Sequence, residues 1–267
     1  MNKLLIYTIL VISLFSCQTV LDNVPVPEIP QKAVVFGSIE EGGTFHTLRV
    51  TKSKPIFSNS PSNEFEVIPN AAVTVTSGGN EYVYVFNSTS QNYEYRGVID
   101  IISGEASLKV ETPTLGTLTS TVSAPAALDG YTLLVDSTER SFEKEYAVQF
   151  TLPASSNPAY YRIDGYVAYA SDTFSSYSSN EYHTNEDVLD KELKIKTSFY
   201  NLSNEDGGST DLYVRLSSIS EDHYTYGKAL VGYEPDNPFS EPTPLPNNVE
   251  GGLGIFGISR SVVIKLN

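Results

Sequence analysis

The stretch Ala71-Ala72-Val73-Thr74-Val75-Thr76, Ser77-Gly78-Gly79-Asn80, Glu81-Tyr82-Val83-Tyr84-Val85-Phe86 decides the class of this fold. β-Branched and aromatic residues fit a pleated, half-buried surface, and they fill both runs on either side of the turn formers. The paired glycines supply the positive φ that a tight hairpin turn requires.

The same grammar extends outward in both directions. Strands expected at 33–39, 44–51, 93–97, 106–111 and 116–122 bring the count to about seven over roughly 90 residues, the spacing of an immunoglobulin-like or transthyretin-like sandwich. The small residues Ser123-Ala124-Pro125-Ala126-Ala127 read as a seam. Beyond it, 131–137, 146–152, 160–170, 194–200, 211–219 and 259–266 read as further strands. One short helix is expected at 220–231, where Ser220 is placed to cap and Glu221 and Asp222 face the positive end of the dipole. The polar, Ser-rich stretch 171–190 has no clear period and reads as a long loop, a length that suits a functional segment. The expected fold is therefore mostly β: an N-terminal sandwich over 32–123, followed by a second β-rich domain with one short helix over 124–267.

Composition agrees. Hydrophobic residues make up 40% of the chain, with 18 Tyr, 12 Phe and no Trp, which is enough to bury a core. The net charge of −15 repels nucleic-acid phosphates and anionic lipid headgroups, so nucleic-acid binding is excluded as a function class.

The one cysteine, Cys17, sits behind Met1-Asn2-Lys3, an apolar stretch over 4–15 and Ser16. A positive start, a short apolar core and a small residue before the cut describe a secretory signal peptide over 1–16. The stretch is shorter than the roughly 20 apolar residues of a membrane-spanning helix. Leu14-Phe15-Ser16-Cys17 resembles the lipobox of bacterial lipoproteins, in which the cysteine is diacylated and becomes the new first residue. An ordinary cleaved signal with a chance cysteine is the alternative. Loss of 1–16 removes Lys3 and no acid, so the mature charge becomes −16. Attachment to an outer membrane then depends on the acyl chains alone, since no basic patch assists it. Residues 17–31 carry Pro25, Pro27 and Pro30 and read as a semi-rigid tether.

Several blocks together carry a family resemblance. They are Val34-Val35-Phe36-Gly37-Ser38-Ile39, Ala71-Ala72-Val73-Thr74-Val75, and Ala159-Tyr160-Tyr161-Arg162. The most specific is the closing series: Ile219-Ser220, Tyr224-x-Tyr226, Asn237-Pro238-Phe239-Ser240-Glu241-Pro242, Asn247-Asn248-Val249 and Gly251-Gly252-Leu253-Gly254-Ile255-Phe256-Gly257. In their order and spacing they resemble the Bacteroidetes outer-membrane lipoproteins of the domain-of-unknown-function family 4249. The resemblance implies an accessory lipoprotein that accompanies a TonB-dependent barrel transporter, and it implies no established activity.

Motifs that carry chemistry are sparse. Gly252-x-Gly254-x-x-Gly257 spells a dinucleotide fingerprint, but that motif needs a strand before it and a helix after it. Here a Pro/Asn loop precedes and a strand follows, so the run reads as backbone packed close to a neighbouring strand or as a bulge. His46, His183 and His223 lack metal-ligand spacing and read as structural or surface residues. Neighbouring acids such as Glu40-Glu41, Glu186-Asp187 and Glu205-Asp206 point to opposite faces on a strand and do not converge. Calcium held by Asp206 with Asp211 is the weak metal alternative. No Gly-x-Ser-x-Gly elbow is present. Neither a cofactor nor a metal is expected.

Tyr166, Tyr169, Tyr177 and Tyr182 cluster around the 171–190 stretch and are the candidate ligand-binding residues, since tyrosine offers an apolar face with a hydrogen-bonding tip. Simple cover for a half-buried sheet is the competing reading. Asp136-Ser137-Thr138 resembles a Bacteroidetes O-glycosylation acceptor. Pro238, Phe239, Pro242 and Asn248 are the candidate partner-binding residues, because a Pro/Asn-rich segment presents a stiff, irregular surface. The expectation is a non-enzymatic, lipid-anchored binding or lid subunit of a TonB-dependent transporter. The alternative is a structural or adhesive surface module, glycan-binding in one form, with no transporter partner.

Overall fold

The computed structural model describes residues 30–54, 65–101, 104–139, 143–168, 174–176, 180–202, 211–233 and 244–267. Within them the chain is mostly β. The hairpin that opened the sequence is β3 (Ala72–Ser77) and β4 (Asn80–Asn87), with Ser77 paired to Asn80 across Gly78 and Gly79. Both glycines have positive φ, 57° and 84°, which matches the right-handed twist of the strands they join. Val73, Val75, Tyr82 and Tyr84 point inward and are buried, while Val83 and Val85 face solvent.

Around this hairpin lie β1 (Ala33–Glu40), β2 (Phe45–Lys52), β5 (Asn92–Arg96), β6 (Glu105–Thr112) and β7 (Gly116–Ser123). β4 turns the corner of the sandwich, since it pairs with β3 through Val73–Ser77 partners and with β5 through Val85, Phe86 and Asn87. The enclosed core holds Val35, Leu48, Val50, Tyr93, Leu108 and Leu118, among others. The expected N-terminal sandwich is present.

A second core lies between two further layers. One is the three-stranded sheet of β13 (Leu193–Leu202), β9 (Glu143–Leu152) and β8 (Thr132–Glu139). The other is formed by β10 (Tyr160–Ala168), β14 (Asp211–Ile219) and β15 (Leu253–Lys265). Tyr146, Val148, Phe150, Ile195 and Phe199 from the first layer meet Tyr161, Ile163, Leu212, Val214 and Leu216 from the second.

Three findings differ from the sequence reading. The 171–190 stretch contains β11 (Phe174–Ser176), β12 (Glu181–Thr184) and a 3-10 turn at Glu186–Val188, and both strands add to the free edge of β10. Three- and four-residue strands are too short to show a period, and their partner supplies the reason they form. β15 begins at Leu253 and not at 259, so the glycine-rich run is strand. Its first part pairs parallel to β1 (Val34↔Leu253 to Glu40↔Ser259) and its last part antiparallel to β14 (Ile219↔Ser259 to Tyr213↔Lys265). The chain therefore returns across the seam expected after Ser123, and Val249, Phe256 and Ile258 are buried in the first core. The seam itself is held by Arg260, which donates to Glu41 Oε2 (2.7 Å) and to the Pro125 carbonyl (2.6 Å).

Candidate functional site

The helix α1 (Glu221–Val231) lies over the outer face where β1, β15, β14 and β10 run together. Its sequence places acids in the first turn and Lys228 in the last, and Gly232 ends it by donating to the Lys228 carbonyl. Ser220 occupies the N-cap position but does not cap with its side chain. Its hydroxyl instead accepts from the Ile258 backbone N–H (3.3 Å), and its own N–H donates to the Ile258 carbonyl (3.0 Å). The tertiary partner wins because Ile258 sits on the stretch of β15 that has a strand on one side only.

Helix and sheet meet through aromatic rings. Tyr224 packs on Tyr160 (4.9 Å between centroids) and edge-on to Tyr182 (6.3 Å), while Tyr226 meets Phe36 at 5.8 Å. The Tyr182 ring lies in the notch at Gly227, where any Cβ would strike it. Burial, and then the hydrogen bond from Tyr160 to Glu186 Oε1 (3.1 Å), push the Tyr160 hydroxyl up to about 12, so it remains a donor. His223 packs against Gly257 with its Nδ1 sealed from solvent and without a hydrogen-bond partner among the described residues. Burial first, and Arg162 second, depress the His223 imidazole to about 4, so it is neutral at pH 7.

Beyond the helix the same face carries a ladder of paired polar groups. Arg162 Nε donates to Asp164 Oδ1 (3.1 Å), and Arg215 stands 3.9 Å from Oδ2 of the same carboxylate. The Arg215 guanidinium lies over the Tyr166 ring at 5.3 Å, and Tyr166 stacks on Tyr213 at 5.3 Å and 11°. Tyr213 donates to Asp211 (3.4 Å), which also pairs with Lys265 (2.8 Å). Arg162 and Asp164 pair along β10, while Arg215–Asp164 and Lys265–Asp211 pair across strands, as cross-strand pairing favours. Such a face can recognise a surface; among the described residues it contains no nucleophile beside a base.

Among the sequence-predicted ligand residues, Tyr166 and Tyr182 both project from this face but belong to different contacts, one in the Tyr213 stack and one under the helix. Tyr169 and Tyr177 lie outside the described residues, as do Cys17, Pro238, Phe239 and Pro242. Asn248 is described, and its amide is spent inside the chain. Its Oδ1 accepts from Phe256 N–H (3.0 Å), and its Nδ2 donates to the Phe256 carbonyl (2.8 Å) and to Asp222 (3.1 Å). Asn247 Oδ1 accepts from Gly254 N–H at 2.7 Å. Tyr160, Tyr213, Tyr224, Arg162 and Arg215 were missed by sequence reasoning. The alternate spacing of Tyr160, Arg162, Tyr213 and Arg215 on their strands was visible, but the register that aligns them, and the placing of Tyr224 on the helix above, were not.

The histidines hold separate structural places: His46 Nε2 contacts the Gly43 carbonyl (3.0 Å) and His183 pairs with Glu181 (3.3 Å). Among the described residues no three or more His, Cys, Asp or Glu side chains gather as a metal site. Asp206 lies outside the described residues, and Asp211 is committed to Lys265.

The family model for the domain of unknown function DUF4249 matches residues 22–264. The chain belongs to the DUF4249 family. No curated protein matches it. Among solved structures, this DUF4249 chain is similar to Escherichia coli α2-macroglobulin in its native conformation, with 11% identity and a TM-score of 0.25, over 73% of this chain and 14% of that one. It is also similar to DUF3823 family proteins from Bacteroides ovatus (14% identity) and Parabacteroides merdae (7%), each with a TM-score of 0.20 over 72% of this chain and 92% of theirs. The chain thus spans about a seventh of the macroglobulin's length.

Proposed function

We propose that the protein is a non-enzymatic lipoprotein of the outer membrane, acting as a binding or lid subunit beside a TonB-dependent transporter. The observation that carries this reading is Cys17 behind an apolar leader in Leu14-Phe15-Ser16-Cys17, followed by a proline-bearing tether. A tether of this kind leaves the folded body near the membrane while its outer surfaces stay free to meet a partner. The described body supports the reading because its aromatic and charged groups form recognition surfaces, and α1 with residues 244–252 rests on a stiff sheet. Two acyl chains suffice for stable anchoring.

The test is native purification from gently solubilised outer membranes, with mass spectrometry of the companions. A stoichiometric TonB-dependent barrel is the expected result. Recovery of the protein alone, under conditions that hold transporter complexes together, overturns it. Replacement of Pro238, Phe239 and Pro242 together then separates partner contact from anchoring, since the anchor resides at Cys17. A second reading, a structural or adhesive surface module without a transporter, is favoured by the uncovered outer face of the three-stranded sheet.

A further inference from the structure

The register of the three-stranded sheet creates a trough on the side away from the core. Leu134, Gln149 and Lys196 stand in one row across β8, β9 and β13. The next row on the same face is Asp136, Ala147 and Ser198, all short. The row after that is Thr138, Glu145 and Tyr200. The step from the first row down to the short second row opens a groove of about 800 Å³, lined by both rows and by Val135, Val148 and Thr197 between them. The volume falls within the ordinary range of ligand sites.

We infer that this trough binds a neutral, hydroxyl-rich ligand, a short oligosaccharide lying across β8, β9 and β13. The donors and acceptors that line it are of both kinds. Lys196 only donates, Asp136 only accepts, and Gln149 and Ser198 do both, which suits hydroxyl groups that themselves donate and accept. Gln149, Lys196 and Ser198 have no side-chain hydrogen bond or ion pair among the described residues, unlike the ladder on the opposite side of the molecule. Ala147 and the 64%-exposed Leu134 offer the apolar contact that the C–H face of a sugar ring requires. One row beyond the groove, Tyr200 donates to Glu145 Oε1 (3.3 Å).

Other occupants fit less well. The net charge of −15, with Asp136 and Glu145 beside the trough, opposes a polyanion. An extended peptide would pair with the free edge of β8. That edge is blunted at its middle, because Asp136 Oδ1 already accepts from Ser137 N–H at 2.9 Å. The inference does not rest on the lipid anchor or on a transporter, so it can fail while those stand.

The experiment is titration of the full protein, held in a detergent without a sugar headgroup, with short gluco-, manno- and xylo-oligosaccharides. Sulfated and carboxylated polysaccharides and extended peptides serve as comparison ligands. Binding to at least one neutral oligosaccharide is expected. Ala147→Tyr places a good strand former at an exposed position and fills the floor, and should weaken binding about tenfold or more. Gln149→Ala and Lys196→Ala should each cost up to about tenfold. Val83→Thr, on the other sandwich, should change nothing, and melting curves report that each variant folds. No binding by the unaltered protein, full binding by folded Ala147→Tyr, or preference for the anionic polymers or peptides overturns the proposal.

Discussion

The two parts of β15 solve the same problem differently. From Ser259 to Lys265 the strand lies beside β14 and its backbone groups are satisfied by strand pairing. From Leu253 to Ser259 it has β1 on one side and, among the described residues, no strand on the other. There side chains replace the missing strand: Asn247 and Asn248 serve Gly254 and Phe256, and Ser220 serves Ile258. An unsatisfied backbone group costs about 1–3 kcal/mol when buried, so each of these substitutes matters. The comparison teaches that the closing motif of the sequence is a splice. It joins the last strand to the first sandwich and fastens α1 through the Asn248–Asp222 contact.

The comparison can be broken most severely at Gly254. Its φ is +126°, and a Cβ would strike the Val35 carbonyl oxygen. Gly254→Val should cost roughly 4 kcal/mol or more in denaturant unfolding, near the top of the range for single substitutions. A variant that unfolds like the natural chain would mean that β15 does not lie on β1 there. Phe256→Ala, which empties a fully buried ring site, should cost about 3–5 kcal/mol in the same measurement.

A titration sharpens the same point from the helix side. His223 packs on Gly257 with its imidazole depressed to about 4, against an ordinary value near 6.5. Between those values the unfolded chain takes up a proton that the folded chain refuses. Stability from this group is therefore complete above pH 6.5 and falls as pH drops toward 4, by at most about 3 kcal/mol. His223→Gln should flatten that part of the stability–pH profile; an unchanged slope would detach His223 from it. Asn248→Ala should follow at about 2 kcal/mol, the result of leaving Phe256 without its amide partner. Val263→Thr, on the half-exposed outer side of the strand-paired part, should change stability by less than about 0.5 kcal/mol.

The strands with clear alternation were legible: β3, β4, β6 and β14 fall within a residue or so of their expected bounds, and α1 begins where Ser220 and the two acids predicted. The candidate site was legible only in part. Tyr166 and Tyr182 were singled out for their chemistry, yet their neighbours Tyr213 and Tyr224 come from strands and helices 40 or more residues away. The trough beside Ala147 was not legible at all, because separately unremarkable rows become a concavity only when aligned.

By itself, the sequence determined the β class, the hairpin turn and the acidic charge. Each depends on residues close together in the chain or on a simple sum. The tertiary structure alone decided that Leu253–Lys265 is one strand shared by two cores, that Asn248 and Ser220 serve as edge partners, and where the outer faces become ladder or trough. These depend on register and on which backbone groups remain unpaired, quantities set between distant segments and carried by no local pattern.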